Sequence, residues 1–389
     1  MTGAAGGLRI VRLANFVTAR SGGLRTALRH LGEGYRAAGH DPVLVIPGKR
    51  AADEAYPWGR VITLPGPEMP GSGGYRLLAG RRRLARLLAD LAPDRLEVSD
   101  RSSLRWTGRW ARAHGVPSVM VSHESLTGLL GQWGVPHTLR RPIADRLNRA
   151  TSQAYDRIVC TTRWAAEEFD RIGAGNVELV PLGVDLDTFS PDRADQRLRE
   201  RYADPSEVLL VHCARMSPEK RPELAVQALA ELRRAGVPAV LVMAGDGPLR
   251  GALARRAKGL PVTFTGFLPD RAAVAALLAS ADVVLAPGPV ETFGLAGLEA
   301  LACGTPVVVN AASALPEVVG AAGLAAYGSG ASMAAAVTRL ADRPEEQRRT
   351  AARARAEEFG WPAAVAGFLR VHDADALVGT PSEVDPRTA

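Results

Sequence analysis

The sequence predicts an α/β fold: two Rossmann-like, doubly wound domains, each a mainly parallel sheet with helices on both faces. Three observations predict it. Short aliphatic runs alternate with helix-period segments along both halves of the chain, the pattern of repeated strand–helix–strand crossovers. Aromatic residues make up only 5% of a chain that is 47% hydrophobic, so its buried surface is aliphatic and Ala-rich, as helices packed on parallel strands require. At 389 residues the chain is too long for one hydrophobic core and predicts two domains of about 190 residues.

In the first half, strands are expected at 9–14, 42–46, 60–64, 95–99, 117–122, 157–160 and 177–181. The stretch from Val180 to Pro191 lacks periodicity and carries Pro181, Gly183 and Pro191, so it reads as the linker between domains at 1–186 and 187–360. The second half predicts strands at 208–214, 239–244, 261–266, 282–286 and 306–310. Residues 344–373 are helical in pattern, and the polar segment 377–389 is expected to be disordered.

Charge is uneven. Residues 1–186 hold 26 Lys/Arg against 17 Asp/Glu, or +9, leaving −2 for the rest of a +7 chain. An anionic partner is therefore expected on the first half. Cys160, Cys213 and Cys303 lie far apart and read as buried free thiols of a reducing compartment. No basic segment leads into a long apolar core at the N-terminus, and no window approaches about 18 uncharged apolar residues. The expectation is a cytoplasmic protein without a membrane span.

The segment 281–310 carries the densest chemical signal. A strand, the turn Pro287-Gly288-Pro289, an almost wholly apolar helix and a second strand enclose Glu291 and Glu299. A helix apolar all round is a buried helix, so Glu299 is an ionisable group on a buried element, with no Lys or Arg within a helical turn. Ligand hydroxyls would satisfy it; the plainer alternative is an Arg from another segment. Glu291 falls in the loop after a strand's carboxyl end, where open α/β sheets bind their ligands.

Other loops carry further candidates. Arg215 and Lys220 stand five apart after the first strand of the second half, able to flank a diphosphate. Gly22 and Gly23 precede a helix and would let backbone N–H groups approach an anion. His123 follows the strand at 117–122, with Glu124 beside it as a candidate for orienting an acceptor. Gly245-Asp246-Gly247-Pro248 lacks the third glycine of a dinucleotide fingerprint, because Arg250 stands there. Segment 74–88 is basic on one side and leucine-rich on the other. It reads as a helix packing Leu84, Leu87, Leu88 and Leu91 on the sheet, with Arg81, Arg82 and Arg83 facing water or an anionic lipid surface near Arg140, Arg141, Arg146 and Arg149. No stacking series of aromatics accompanies these basic residues, so nucleic acid is not expected.

Glu291-Thr292-Phe293-Gly294-Leu295-Ala296-Gly297-Leu298-Glu299 resembles the E-x7-E signature of retaining glycosyltransferase family 4, of GT-B fold, whose members use nucleotide sugars. The resemblance extends to Arg215 and Lys220 as a diphosphate element, the glycine loop, and a histidine at His123. Asn15, Ser21 to Thr26, Glu97 to Arg101, Glu168 to Gly173 and Ala286 to Pro289 are similar to that family's bacterial phosphatidylinositol mannoside mannosyltransferases. The resemblance implies GDP-mannose as donor, no cofactor, and a mannosylated phosphatidylinositol as acceptor in α-1,6 linkage. It implies that Glu291 and the Thr292, Phe293, Gly294 and Leu295 segment hold the donor sugar, Glu299 the ribose, and Gly245, Phe264, Gly266, Phe267 and Leu268 the base region. His123, Arg215, Lys220 and Glu291 would be catalytic, and Arg20, Arg25, Arg81, Arg82, Arg83 and Glu124 would face acceptor or membrane. It also implies that the last helix, 361–375, crosses back to the first domain. No Asp-x-Asp metal site is read in the chain, and a metal-independent reaction is expected. Two other classes stay open: a soluble transferase using another nucleotide sugar on a small metabolite, and a non-catalytic nucleotide-sugar or anionic-lipid binding protein.

Overall fold

Runs such as Leu209–Val211 and Val307–Val309 are fully buried, as strands covered by helices on both faces must be. The computed structural model describes residues 7–17, 22–69 and 74–374, and among these the strands form two sheets. The first domain contains β1 (Arg9–Leu13), β2 (Asp41–Gly48), β3 (Ala52–Tyr56), β4 (Gly59–Pro65), β5 (Arg95–Val98), β6 (Ser118–Ser122), β7 (Arg157–Cys160) and β8 (Val177–Leu179). Their order is β3-β4-β2-β1-β5-β6-β7-β8; β3 pairs antiparallel with β4 and the other pairs are parallel. The second domain contains β9 (Val208–Cys213), β10 (Ala239–Ala244), β11 (Val262–Gly266), β12 (Val283–Ala286), β13 (Val307–Asn310) and β14 (Gly323–Ala326), in the all-parallel order β11-β10-β9-β12-β13-β14.

Two edge strands escaped sequence reading. β3 is Ala-Asp-Glu-Ala-Tyr and mostly exposed, so it has no buried run to betray it. β14 is Gly-Leu-Ala-Ala and reads equally as loop. The linker is also tighter than its lack of periodicity suggests. Val180, Leu182, Val184 and Phe189 are buried in a core cluster continuous with both domains, and Val184 N–H donates to the Phe359 carbonyl at 2.8 Å.

The helical segment after 344 is two helices, Glu345–Glu357 and Trp361–Val371. The second returns to the first domain and lies on the helix Gly23–Ala37. Gly34 permits this approach: a Cβ there would stand 2.3 Å from Val365 Cγ2. A buried polar cluster locks the return. Glu97 on β5 accepts from Arg12 Nε at 2.8 Å and Tyr35 OH at 2.7 Å, and contacts His372 Nε2 at 3.1 Å. Such groups tolerate burial only when paired and hydrogen-bonded. Residues 375–389, which include the segment expected to be disordered, lie outside the described residues. Among the described residues no helix is long and apolar enough to cross a membrane.

Candidate functional site

The carboxyl ends of β9, β10 and β12 open toward the first domain, and steric constraint sets their loops. Gly245 has φ +128°, and a Cβ there would fall 2.1 Å from the Ala214 carbonyl oxygen, so the turn after β10 admits only glycine. Its N–H donates to the Gly266 carbonyl at 2.8 Å, drawing the end of β11 in beside it. Gly266 lies at φ +76°, with Phe264 and Leu268 half-buried at the same end and Phe267 exposed.

Glu291 leaves β12 in a loop held by Asn310 Nδ2, which donates to Pro287 O at 2.8 Å, and by Ala314 N–H to Glu291 O at 2.9 Å. Its carboxylate meets Lys220 Nζ. Burial works against the Lys220 charge, but the Glu291 carboxylate holds its pKa above the ordinary lysine value. Arg215 pairs with Glu219 at 3.0 Å and lies 4.9 Å over the ring of Tyr75 from the first domain. The two cations read from sequence as a diphosphate clamp are therefore both carboxylate-paired in the described structure. An entering diphosphate would compete with Glu219 and Glu291 for them.

Glu299 has an Arg from another segment beside it, the plainer of the two readings its sequence left open. Arg271, which opens the helix Arg271–Ser280, approaches Glu299 Oε1 at 3.4 Å and reaches Thr26 of the first domain at 3.4 Å. Burial nevertheless pushes the Glu299 carboxyl up to about 7, against the opposing pull of Arg271. Arg271 Nε is buried without a partner. Sequence spacing carried no hint of Arg271, which lies 28 residues from Glu299 and on another helix.

The first domain closes the site from the other side. Gly22 caps the helix Gly23–Ala37, and a Cβ on Gly23 would stand 3.5 Å from Leu295 Cδ1, so the helix N-terminus meets the donor loop. Gly294, at φ +80°, caps the helix Leu295–Ala302; Phe293 is buried before it. Thr292 ties the two domains together. Its Oγ1 donates to His123 O at 2.8 Å, and its carbonyl accepts from Thr161 Oγ1 at 3.2 Å and Thr162 Oγ1 at 2.9 Å. Glu317 adds a second bridge, accepting from Arg163 N at 2.9 Å and Trp164 N at 3.1 Å at the start of the helix Arg163–Asp170. Sequence reasoning missed Thr161, Thr162 and Glu317, because ordinary capping residues carry no mark of spanning a cleft.

His123 Nε2 is 3.2 Å from Ser99 Oγ, and burial lowers its pKa to about 4. It is thus neutral near pH 7. Burial, with Asp100 adding, raises Glu124 to about 7. Arg20 lies outside the described residues; Arg25, Arg81, Arg82 and Arg83 are exposed, while Leu84, Leu88 and Leu91 pack inward. Asp-x-Asp spacing does occur, at Asp185-Leu186-Asp187 and at Asp373-Ala374-Asp375, which corrects the sequence reading. Asp185 Oδ1 accepts from Thr188 N at 2.9 Å as a turn cap. Among the described residues no group of three His, Cys, Asp or Glu gathers as metal ligands. The three cysteines are free; Cys160 and Cys303 are buried, and Cys213 is half-buried.

Comparison with known proteins agrees with this geometry. Residues 21–188 match the model described as Glycosyltransferase Family 4, and residues 207–343 that described as Glycosyl transferases group 1. The GDP-mannose-dependent alpha-(1-6)-phosphatidylinositol dimannoside mannosyltransferase of Mycobacterium tuberculosis (strain ATCC 25177 / H37Ra) is 53% identical over 365 residues, covering 93% of this chain and 95% of that protein. The 2-deoxystreptamine glucosyltransferase of Streptomyces kanamyceticus is 31% identical over 252 residues, 60% of this chain and 64% of that protein. Among solved structures, a sucrose-phosphate synthase from Thermosynechococcus elongatus superposes with a TM-score of 0.75 at 20% identity, covering 94% of this chain and 98% of that one. Two Rossmann-like sheets facing one cleft are the GT-B fold, and the family models and the 53% identical relative make it that of a glycosyltransferase. The chain belongs to glycosyltransferase family 4.

Proposed function

We propose that the protein is a retaining, metal-independent mannosyltransferase that moves mannose from GDP-mannose to a phosphatidylinositol mannoside in α-1,6 linkage. The observation that carries this reading is the 53% identity, over 93% of the chain, to the mycobacterial protein of that printed activity. The cleft supplies suitable groups. Arg215 and Lys220 would face the diphosphate, stabilising charge as the bond from mannose C1 to phosphate oxygen breaks and its electrons pass to GDP. The acceptor hydroxyl bonds to C1 on the face the nucleotide leaves, and its proton passes to the departing phosphate. Glu291 and the backbone of Phe293, Gly294 and Leu295 would hold the sugar, Glu299 the ribose, and neutral His123 a sugar hydroxyl. The acceptor is a lipid, so the protein works against a membrane surface from the cytoplasmic side.

The test is turnover of GDP-mannose, UDP-glucose and UDP-N-acetylglucosamine by purified protein, with and without phosphatidylinositol mannoside vesicles. GDP release that depends on the lipid and disappears in Glu291→Ala is expected. Turnover of another donor, or indifference to lipid, would replace this reading with a soluble transferase acting on a small metabolite.

A further inference from the structure

The basic, leucine-rich helix Arg81–Leu91 buries Leu84, Leu88 and Leu91, with Leu87 half-buried, and shows no exposed large apolar side chain. A different element exposes apolar side chains. The helix Leu126–Gln132 ends at Trp133, 60% exposed, and the helix His137–Ser152 shows Leu139 at 51% and Ile143 at 37%. Leu139, Ile143 and the exposed Arg146 fall within about 60° of one another at 100° per residue, so they form one outward stripe. Residues 125–152 hold four arginines and one acid, Asp145, and Asp145 is paired with Arg171.

We propose that this hairpin, Trp133 with Leu139, Ile143 and Arg146, is the surface that docks on an anionic phospholipid bilayer. Apolar side chains beside arginines match the acyl boundary and the headgroup layer respectively. Charge rules against a second copy of the chain as occupant, since two such faces would bring like charges together. Position supports the bilayer too. Ser125 follows His123 and Glu124 directly, and the seven-residue helix after it sets Trp133 about 10 Å further out. The opposite face of His137–Ser152 lines a cavity of about 320 Å³ with His137, Arg140 and Arg141, adjoining Val290 beside Glu291. One helix thus joins the docking stripe to the cleft. The inference rests on the glycolipid-acceptor reading.

The test is flotation of the full chain with phosphatidylcholine vesicles, with and without phosphatidylglycerol, in the absence of donor. Binding to the anionic vesicles is expected. It should fall at least about tenfold in the Trp133→Ser, Leu139→Ser, Ile143→Ser triple variant and about fivefold for Arg146→Ser. Circular dichroism and GDP binding should stay unchanged in these variants. Undiminished binding in the apolar triple variant, or full loss in Arg81→Ser, Arg82→Ser, Arg83→Ser instead, would overturn the proposal. So would sedimentation showing a dimer that the triple variant abolishes. Because no donor is present, a chain that binds through the hairpin yet turns over another sugar refutes the function reading alone.

Discussion

Thr292 Oγ1 hydrogen-bonds to the carbonyl of His123 at 2.8 Å, across 169 residues of chain and from one domain to the other. It joins the loop that carries Glu291 to the strand end that carries the candidate histidine. One contact between the domains thus also links the two candidate site loops.

Thr292→Val keeps the shape but leaves the His123 carbonyl unpaired, a cost of about 1–3 kcal/mol in a buried setting. Turnover should fall about tenfold or more, with GDP affinity less affected. Steady-state kinetics alongside GDP titration separates the two.

Lys220 and Glu291 face each other half-buried. Breaking the pair from either side strands a charge, so Lys220→Met and Glu291→Gln should each destabilise by about 2 kcal/mol, and the double variant by less than their sum. Chemical denaturation of the four proteins measures the coupling. Each single variant should lose about 100-fold or more in turnover.

Glu299 carries a pH signature. Its folded-state pKa rises from 4.5 to about 7, so its contribution to stability is fully present below pH 4.5 and is lost as pH climbs through about 7. The loss amounts to about 3 kcal/mol. Glu299→Gln should flatten this dependence in thermal melts between pH 4.5 and 8. GDP affinity of the wild type should move oppositely, rising through the same window as the carboxylate ionises to accept ribose hydroxyls; a flat binding profile would refute its placement at the ribose.

Glu317 caps the helix Arg163–Asp170 from the other domain. Glu317→Ala should cost about 1 kcal/mol and favour opening. Small-angle scattering should show a larger radius of gyration for the variant, restored toward wild type by GDP.

Glu97→Leu should be the most damaging change away from the cleft, about 3–5 kcal/mol, because it strands Arg12 in the core beside His372. Limited proteolysis should then cut near Phe359 sooner than in the wild type, as the returning helix loses its anchor.

Much of the fold was legible because parallel strands buried on both faces write themselves as continuous aliphatic runs, as at Val208–Cys213 and Val307–Asn310. β3 and β14 were not, since an exposed Asp-Glu strand and a Gly-Ala strand bury too little to leave a pattern. Candidate site residues were visible where chemistry needs a rare combination, such as Glu291 and Glu299 eight apart around an apolar helix. Arg271, Tyr75, Thr161, Thr162 and Glu317 carry no such mark, because their placement depends on contacts far away in sequence.

By itself the sequence determined the two-domain α/β plan, the glycines whose turns exclude a side chain, and the acids and bases placed at strand ends. These are local properties, set by periodicity and by what each backbone angle permits. Only the tertiary structure decided that Arg271 meets Glu299, that Thr292 bridges to His123, and that the face left apolar belongs to the hairpin at Trp133 rather than to the arginine-rich helix. Each depends on which surfaces the packed domains cover, and burial is a property of the whole fold that no single segment specifies.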